Sequence, residues 1–299
     1  MVEIDLSAAE IFLSYMDGGT SMDEVWGHDA YKIIRTHAEK LRGGLKKEQI
    51  ERAAKGEKGG YYGVSGIREN LGNIETLIDI IKEREDSWLK SIEAELHRVV
   101  PKEKKDITIY PAFGYDIGIG LEEGVCINLN EGLFFHVPRQ FLYLAIHECS
   151  HTLYSRIHGI PDIDDIRSNQ DMISFFNTFL HTEGYAVYTP LKLRAADGYT
   201  GSENHYLNAD YHIIYDEEGM RKTVKGYDLL RDERTISKDW SLQDYMNRAF
   251  GEKRFAYRVG CAVVNRIEQE QGMDEVRKAF YMDADEFVER YDGYLDVYR

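Results

Sequence analysis

The spacing of apolar residues changes near residue 100, and the change divides the chain into two parts with different secondary structure. Up to that point, apolar residues recur every three or four positions, as on the buried face of an amphipathic helix. We therefore predict helices over residues 7–16, 28–41, 46–54 and 67–99, the last with room for one break near Glu85. Paired glycines at 18–19 and 43–44 supply helix stops, and Ser7 supplies a helix cap.

After the polar segment 101–106 the period falls to two, which is typical of half-buried strands. Short strands are predicted over residues 107–110, 116–120 and 125–129, directly before an apolar run that fits a buried helix. Further helices are predicted over residues 172–188, 239–250, 252–271, 274–279 and 284–291. The result is a mostly helical α+β fold, with an N-terminal helical region at 1–100 and a second domain at 101–299.

The apolar run encloses five residues of unusual chemistry, His147-Glu148-Cys149-Ser150-His151, which follow the pattern H-E-x-x-H. Residues four apart lie on one face of a helix, so His147 and His151 can direct two imidazole nitrogens at one point. Glu148 is turned about 100° from His147 around the helix, beside that point rather than on it. Two metal ligands and a general base from one stretch of helix are the arrangement of a zinc hydrolase.

The alternative explanation is a buried helix that carries these side chains for no chemical reason. It is disfavoured because two histidines and a carboxylate in an apolar helix each need a partner, or else cost desolvation energy. One bound metal ion removes that cost for all three groups at once. A single Zn²⁺ ion is therefore the predicted cofactor.

A catalytic zinc ion usually takes three protein ligands, so one more is required. Glu183 is our candidate, because it stands in an apolar segment 32 residues after His151 and is followed by small residues that let two helices approach closely. His158 is one residue out of register for a third histidine. The acidic loop at 162–165 has no helix to fix its carboxylates, and His181 lies about 200° from Glu183 around the helix.

H-E-C-S-H at 147–151, with E-G-Y-A downstream at 183–186, resembles the gluzincin type of zinc metallopeptidase, in which a glutamate is the third ligand. The upstream strands are similar to the zincin core, and the sequence at 257–260 looks like the C-terminal part of predicted zinc-dependent peptidases of that clan. The resemblance spans roughly residues 105–270. It implies a zincin-like catalytic core that hydrolyses peptide bonds, with a peptide or protein as substrate.

The resemblance also implies roles for individual residues. Glu148 would accept a proton from the zinc-activated water and deliver it to the leaving amine. The developing oxyanion needs a further donor. By its match to the family pattern the candidate is Tyr257, and the alternatives are Tyr211, His212, His205 and Arg258.

Composition narrows the range of partners and compartments. The formal net charge of −16 disfavours nucleic acid and anionic membranes as partners, since both require a basic surface. Three cysteines are too few for a disulfide framework. The sequence shows no signal-peptide pattern at its start and no apolar run of about 18 residues. These features together predict a cytoplasmic protein.

A second functional hypothesis stays open beside the peptidase. The chain can bind zinc and yet be catalytically idle, acting as a binding or inhibitory module whose cleft is blocked by its own N-terminal helices. A helical protein without metal is the third hypothesis, and it corresponds to an H-E-x-x-H pattern that has no chemical role.

Overall fold

The computed structural model describes residues 1–57, 64–199, 206–231, 246–247, 250–251 and 253–299. In these residues the chain forms two compact units, Met1–Arg156 and Ile157–Arg299. Most of the described residues are helical, and the strands form one small mixed sheet, which confirms the α+β class. The domain boundary near residue 100 stays a prediction.

The first unit contains the sheet and the N-terminal helices. Its strands are β1 (Val2–Ile4), β2 (Ile107–Ala112), β3 (Gly118–Leu121) and β4 (Gly124–Asn128). Its helices are α1 (Ser7–Met16), α2 (Met22–Gly27), α3 (Asp29–Arg42), α4 (Lys47–Ala54), α5 (Ile67–Val99) and α6 (Gly132–His136). Helix α7 (Arg139–His158) begins in this unit and ends just beyond its last residue.

The strand order in the sheet is β1-β2-β4-β3, so β1 and β3 are the edge strands. β1 pairs with β2 and β2 with β4 in parallel, whereas β3 is antiparallel to β4 with Ile119 opposite Cys126. The three strands before α7 lie where the sequence predicts them. β1 escapes prediction because three residues carry too little alternation to be recognised.

Helices α1 and α3 pack their apolar faces against the sheet. Tyr31 of α3 is fully buried, and its hydroxyl donates a hydrogen bond of 3.0 Å to the carbonyl oxygen of Phe113. The ring of Phe12 in α1 is centred 4.9 Å from the ring of Phe113. Burying aromatic side chains of this size is the main favourable contribution to such a core.

The helix predictions for this unit are largely confirmed. Helices α1 and α5 have the predicted bounds, and α5 runs without the break allowed near Glu85. Helix α3 begins after His28, whose Nδ1 accepts a capping hydrogen bond, and ends at Gly43 with φ 73°. The predicted cap on α1 is wrong, because Leu6 occupies the cap position and the Ser7 hydroxyl is hydrogen-bonded to His28 instead.

The second unit is built from helices in its described residues. They are α8 (Asn169–Tyr188), α9 (Leu191–Ala196), α10 (Tyr206–Tyr215), α11 (Glu217–Arg231), α12 (Phe255–Gln271), α13 (Met273–Phe280) and α14 (Ala284–Tyr291). The helices predicted over 172–188, 252–271, 274–279 and 284–291 are confirmed to within one turn. The helix predicted over 239–250 lies mostly outside the described residues. None of the described helices has both the length and the apolar character that crossing a membrane requires.

Two histidines satisfy the last carbonyl groups of α13. His181 of α8 is fully buried and donates from Nε2 to the carbonyl oxygen of Ala279 at 3.0 Å. His158 donates in the same way to the carbonyl oxygen of Phe280 at 2.8 Å. Burial, together with the charge of His158, lowers the pKa of His181 to about 3, so that ring is neutral near pH 7. Both rings therefore serve as partners for a helix C-terminus.

Glu275 of α13 ties this helix to α14. Its carboxylate accepts hydrogen bonds from the Tyr291 hydroxyl at 2.7 Å, from Arg290 at 3.1 Å and from Lys278 at 3.1 Å. These interactions, with the bond from Tyr291 the largest, lower the pKa of Glu275 below its ordinary value. The ionised carboxylate is therefore the form that stabilises this part of the unit.

We expect Glu275→Gln to lower the free energy of unfolding by about 1 kcal/mol near pH 7, because hydrogen bonds to a charged carboxylate are lost. A carboxylate with a lowered pKa contributes stability above its unfolded-state pKa, and this stability is lost as the pH falls through the folded-state value. The difference from wild type should therefore shrink below about pH 4.3. Urea unfolding at several pH values measures this difference in the free energy of unfolding. Glu289→Gln, at an exposed position, is the control. A difference that does not change with pH would contradict this role.

Candidate metal centre

Helix α7 carries the H-E-x-x-H residues at its centre, where it is buried on nearly every side. His147 and Glu148 are 9% and 5% exposed, and Cys149 between the histidines is fully buried. The Nε2 atoms of His147 and His151 are 3.1 Å apart, and the two rings meet edge to face. The i, i+4 spacing thus brings the two imidazoles together at their Nε2 atoms.

The separation of the two Nε2 atoms suits a shared metal ion. Ligand atoms about 2.0–2.1 Å from a tetrahedral zinc ion are roughly 3.3 Å from one another, close to the observed 3.1 Å. Two nitrogens that face each other at this distance have room for one hydrogen between them. At least one of the rings therefore presents a lone pair, which is the form that binds a metal.

Strand β3 lies directly against helix α7 because two of its residues have no side chain. A Cβ atom on Gly118 would come within 2.4 Å of Glu148 Oε1, and a Cβ atom on Gly120 within 2.1 Å of the Glu148 carbonyl oxygen. Both distances are far below van der Waals contact. The carboxylate of Glu148 therefore rests on the backbone of an edge strand.

The sequence predicts a sheet that packs on the H-E-x-x-H helix but does not identify the two glycines that make the contact, although it contains a signal for them. Glycines at alternate positions of a strand leave one of its faces bare, and a bare face marks a place where another backbone approaches closely. The residues on the opposite face, Ile117, Ile119 and Leu121, are all buried. The bare face of β3 is the one that meets α7.

Hydrogen bonds to main-chain atoms fix the C-terminal half of α7 against the sheet. Arg156 donates to the carbonyl oxygens of Glu122 and Asp106, both at 2.9 Å. The Thr152 hydroxyl is 3.4 Å from the carbonyl oxygen of Gly124. Because these acceptors lie at the ends of β2, β3 and β4, they set the register of the helix on the sheet.

Glu183 lies in α8 next to the point where α8 and α12 are in backbone contact. A Cβ atom on Gly184 would come within 2.5 Å of the Gly260 carbonyl carbon, and one on Gly260 within 2.1 Å of the Leu180 carbonyl oxygen. The close helix approach predicted from the small residues beside Glu183 is therefore confirmed. Glu183 itself is 7% exposed.

One potential ligand atom from each of His147, His151 and Glu183 lies within 4.8 Å of the other two. Two imidazole nitrogens and one carboxylate oxygen are a donor set that zinc accepts. No other group of three candidate ligands is found in the described parts of the chain. The three residues selected from the sequence are thus the ones that the structure brings together.

Three of the other candidates for a third ligand, Asp162, His158 and His181, have structural partners. Asp162 accepts a hydrogen bond from the amide of Asp164 at the start of a 3-10 turn, which is a capping interaction. His158 and His181 donate to carbonyl groups at the end of α13. In each case a local contact explains the side chain.

Tyr257 lies in the first turn of α12, and the guanidinium carbon of Arg254 is 3.6 Å from the centre of its ring. The Tyr257 ring also meets the edge of Phe250, which in turn contacts Phe179. Phe179 stands one helical turn before Glu183 in α8. A chain of aromatic contacts therefore links Tyr257 to the helical turn that carries Glu183, while its role as oxyanion donor stays a prediction.

The alternatives to Tyr257 differ in their surroundings. Arg258 is buried and donates to Asp210 at 2.8 Å. Tyr211 is buried as well, and its burial raises its pKa. His212 is half-buried, and His205 lies outside the described residues. Arg258 and Tyr211 are thus largely shielded from solvent, whereas Tyr257, like His212, is half-buried.

No protein-family model matches this chain, and neither does any curated protein or solved structure. Its function has therefore to be inferred from the side chains of the site and their surroundings.

We expect Gly120→Ala to lower the free energy of unfolding by about 2 kcal/mol, within the range for overpacked sites. The added methyl group would meet a backbone oxygen, so the strand or the helix has to move. Gly72→Ala is the control, because that position in α5 has open space and alanine favours helices by up to about 1 kcal/mol. Chemical unfolding measures both variants. Equal unfolding midpoints for wild type and Gly120→Ala would disprove the close contact.

Proposed function

We propose that this chain is a zinc-dependent metallopeptidase with a zincin-like core, in which His147, His151 and Glu183 hold one Zn²⁺ ion. The observation that carries the proposal is the group of three ligand atoms, one from each side chain, all within 4.8 Å of one another. Glu183 is the third ligand that the H-E-x-x-H resemblance implies. The small sheet that precedes α7 in the chain supports the same assignment.

The chemistry of the donor set supports zinc over harder cations. Magnesium and calcium prefer sites made of oxygen atoms alone, whereas imidazole nitrogens suit zinc. Three protein ligands leave a fourth coordination position for water or substrate. Zinc bound there supplies a Lewis acid that polarises a carbonyl group and brings the pKa of water towards neutrality.

Glu148 is the residue that we assign as the general base. It follows His147 in α7, and its carboxylate lies against Gly118 of β3. From that position it would accept the proton of the attacking water and later deliver it to the leaving amine. Its 5% exposure keeps bulk water from competing for the transferred proton.

The edge strand β3 supports a peptide as substrate. Among the described strands, β3 pairs only with β4, so its other edge is not part of the sheet. A strand edge of this kind binds an extended chain through main-chain hydrogen bonds. Because Glu148 meets β3 at Gly118, a peptide lying along β3 would pass close to the general base.

Tyr257 is the donor that we assign to the oxyanion. Its ring is held between the guanidinium of Arg254 and the edge of Phe250. A donor that is already oriented stabilises developing charge without reorganising during the reaction. Tyr257 is half-buried, so part of its side chain stays accessible to a substrate carbonyl group.

We expect the purified protein to retain about one zinc ion per chain after dialysis against metal-free buffer, given three ligands from the protein. Glu183→Gln should weaken zinc binding at least about tenfold, because an amide oxygen is a poorer ligand than a carboxylate. Elemental analysis and chelator competition measure these quantities. Glu218→Gln, at an exposed position of α11, is the control and should bind zinc as wild type does. A wild-type protein that retains no metal would refute the proposed centre.

We expect Glu148→Gln to lose cleavage of a peptide library by a factor of about 10² to 10⁴, the usual contribution of a general base. Zinc content should be unchanged, since Glu148 is not a ligand. Glu123→Gln, in the exposed turn between β3 and β4, should cleave as wild type does. If wild type and Glu148→Gln bind zinc equally and neither cleaves any peptide, the chain is a zinc-binding module without peptidase activity.

A further inference from the structure

A buried group of charges lies at the start of α12 in the second unit. Asp210 of α10 is 1% exposed and accepts hydrogen bonds from Arg254 Nε at 2.6 Å and from Arg258 Nε at 2.8 Å. Two guanidinium groups share one carboxylate, so these three residues together carry one net positive charge. An excess charge in a buried place is costly unless a further group of opposite sign lies close by.

Arg254 is held firmly at this place. Its φ of 46° is the one positive value at a non-glycine residue in the described chain. Side chains disfavour this conformation, and it persists only where the surroundings fix it. Here the bond to Asp210 and the ring of Tyr257 hold the guanidinium from two sides.

The packing of α8 on α12 brings this charge close to Glu183. The two helices touch at Gly184 and Gly260, so the contact adjoins Glu183 and lies less than two turns from Arg254. Burial disfavours the charged form of Arg254, but the carboxylate of Asp210, with a smaller contribution from that of Glu183, outweighs it, and the pKa of Arg254 is raised. Glu183 is therefore an acidic group within electrostatic reach of Arg254.

We infer that Arg254, anchored by Asp210, is a positioning residue whose charge offsets the Glu183 carboxylate and thereby weakens the binding of zinc. The inference rests on the proposed function, since it takes Glu183 as a metal ligand. A nearby cation stabilises the ionised carboxylate before the metal arrives and repels the metal afterwards.

Whether zinc affinity rises or falls when Arg254 is replaced separates this electrostatic role from a purely orienting one. A residue that only orients a metal ligand strengthens binding, and its loss typically weakens metal affinity about 10- to 100-fold. A residue whose charge opposes the metal does the reverse, so its loss tightens binding. Measuring the direction of the change therefore decides between the two roles.

The experiment measures the zinc dissociation constant of the full chain by competition with a chromogenic chelator, at fixed pH and ionic strength. We expect Arg254→Met to bind zinc about tenfold more tightly, because one opposing charge is removed. Arg254→Lys keeps the charge and should stay within about twofold of wild type. Arg221→Met is the matched control, because Arg221 pairs with Glu217 on the exposed surface of α11 and its loss should change nothing.

The outcomes distinguish the inference from the proposal beneath it. A wild-type chain that binds no zinc refutes the metal centre itself. If the wild-type chain binds zinc but Arg254→Met binds it equally well or more weakly, the inference about Arg254 is overturned and the metal centre is not. Circular dichroism checks that each variant is folded, and Arg254→Gln replaces Arg254→Met under the same criterion if the latter does not fold.

Discussion

The contact between the backbone of strand β3 and helix α7 is the constraint on which the proposed site depends. Neither Gly118 nor Gly120 can carry a side chain without meeting Glu148 or its carbonyl group. This contact places the Glu148 carboxylate against an edge strand, and the two imidazoles of the same helix meet at their Nε2 atoms. In the proposed peptidase, one turn of helix lying on this bare strand would supply both the general base and two of the metal ligands.

In the second unit, glycines likewise allow a close backbone contact, here between two helices. Gly184 and Gly260 let α8 and α12 approach until their backbones touch. That approach brings the first turn of α12, with Tyr257 and Arg254, towards the helical turn that holds Glu183. The two glycines therefore do more than allow dense packing. They determine which charged and aromatic side chains lie near Glu183, the third proposed ligand.

Periodicity made much of the fold predictable, because long amphipathic helices and alternating strands carry a repeated signal. Glu183 could be selected because a carboxylate among apolar residues needs a partner. Strand β1 is too short to carry a pattern, and α11 was hidden in a polar stretch although Met220, Val224 and Tyr227 are spaced as on a buried helix face. The pairing of Asp210 with Arg258 joins residues 48 apart, and no local pattern encodes it. Such contacts follow only from the tertiary structure.

The central claim is that His147, His151 and Glu183 hold one zinc ion, and diffraction from zinc-loaded crystals at the zinc absorption edge tests it most directly. The account predicts a single anomalous peak about 2.0–2.2 Å from both Nε2 atoms and a Glu183 carboxylate oxygen, with Glu148 close by but not coordinated. A peak bound by other side chains, or crystals that take up no zinc, would contradict it.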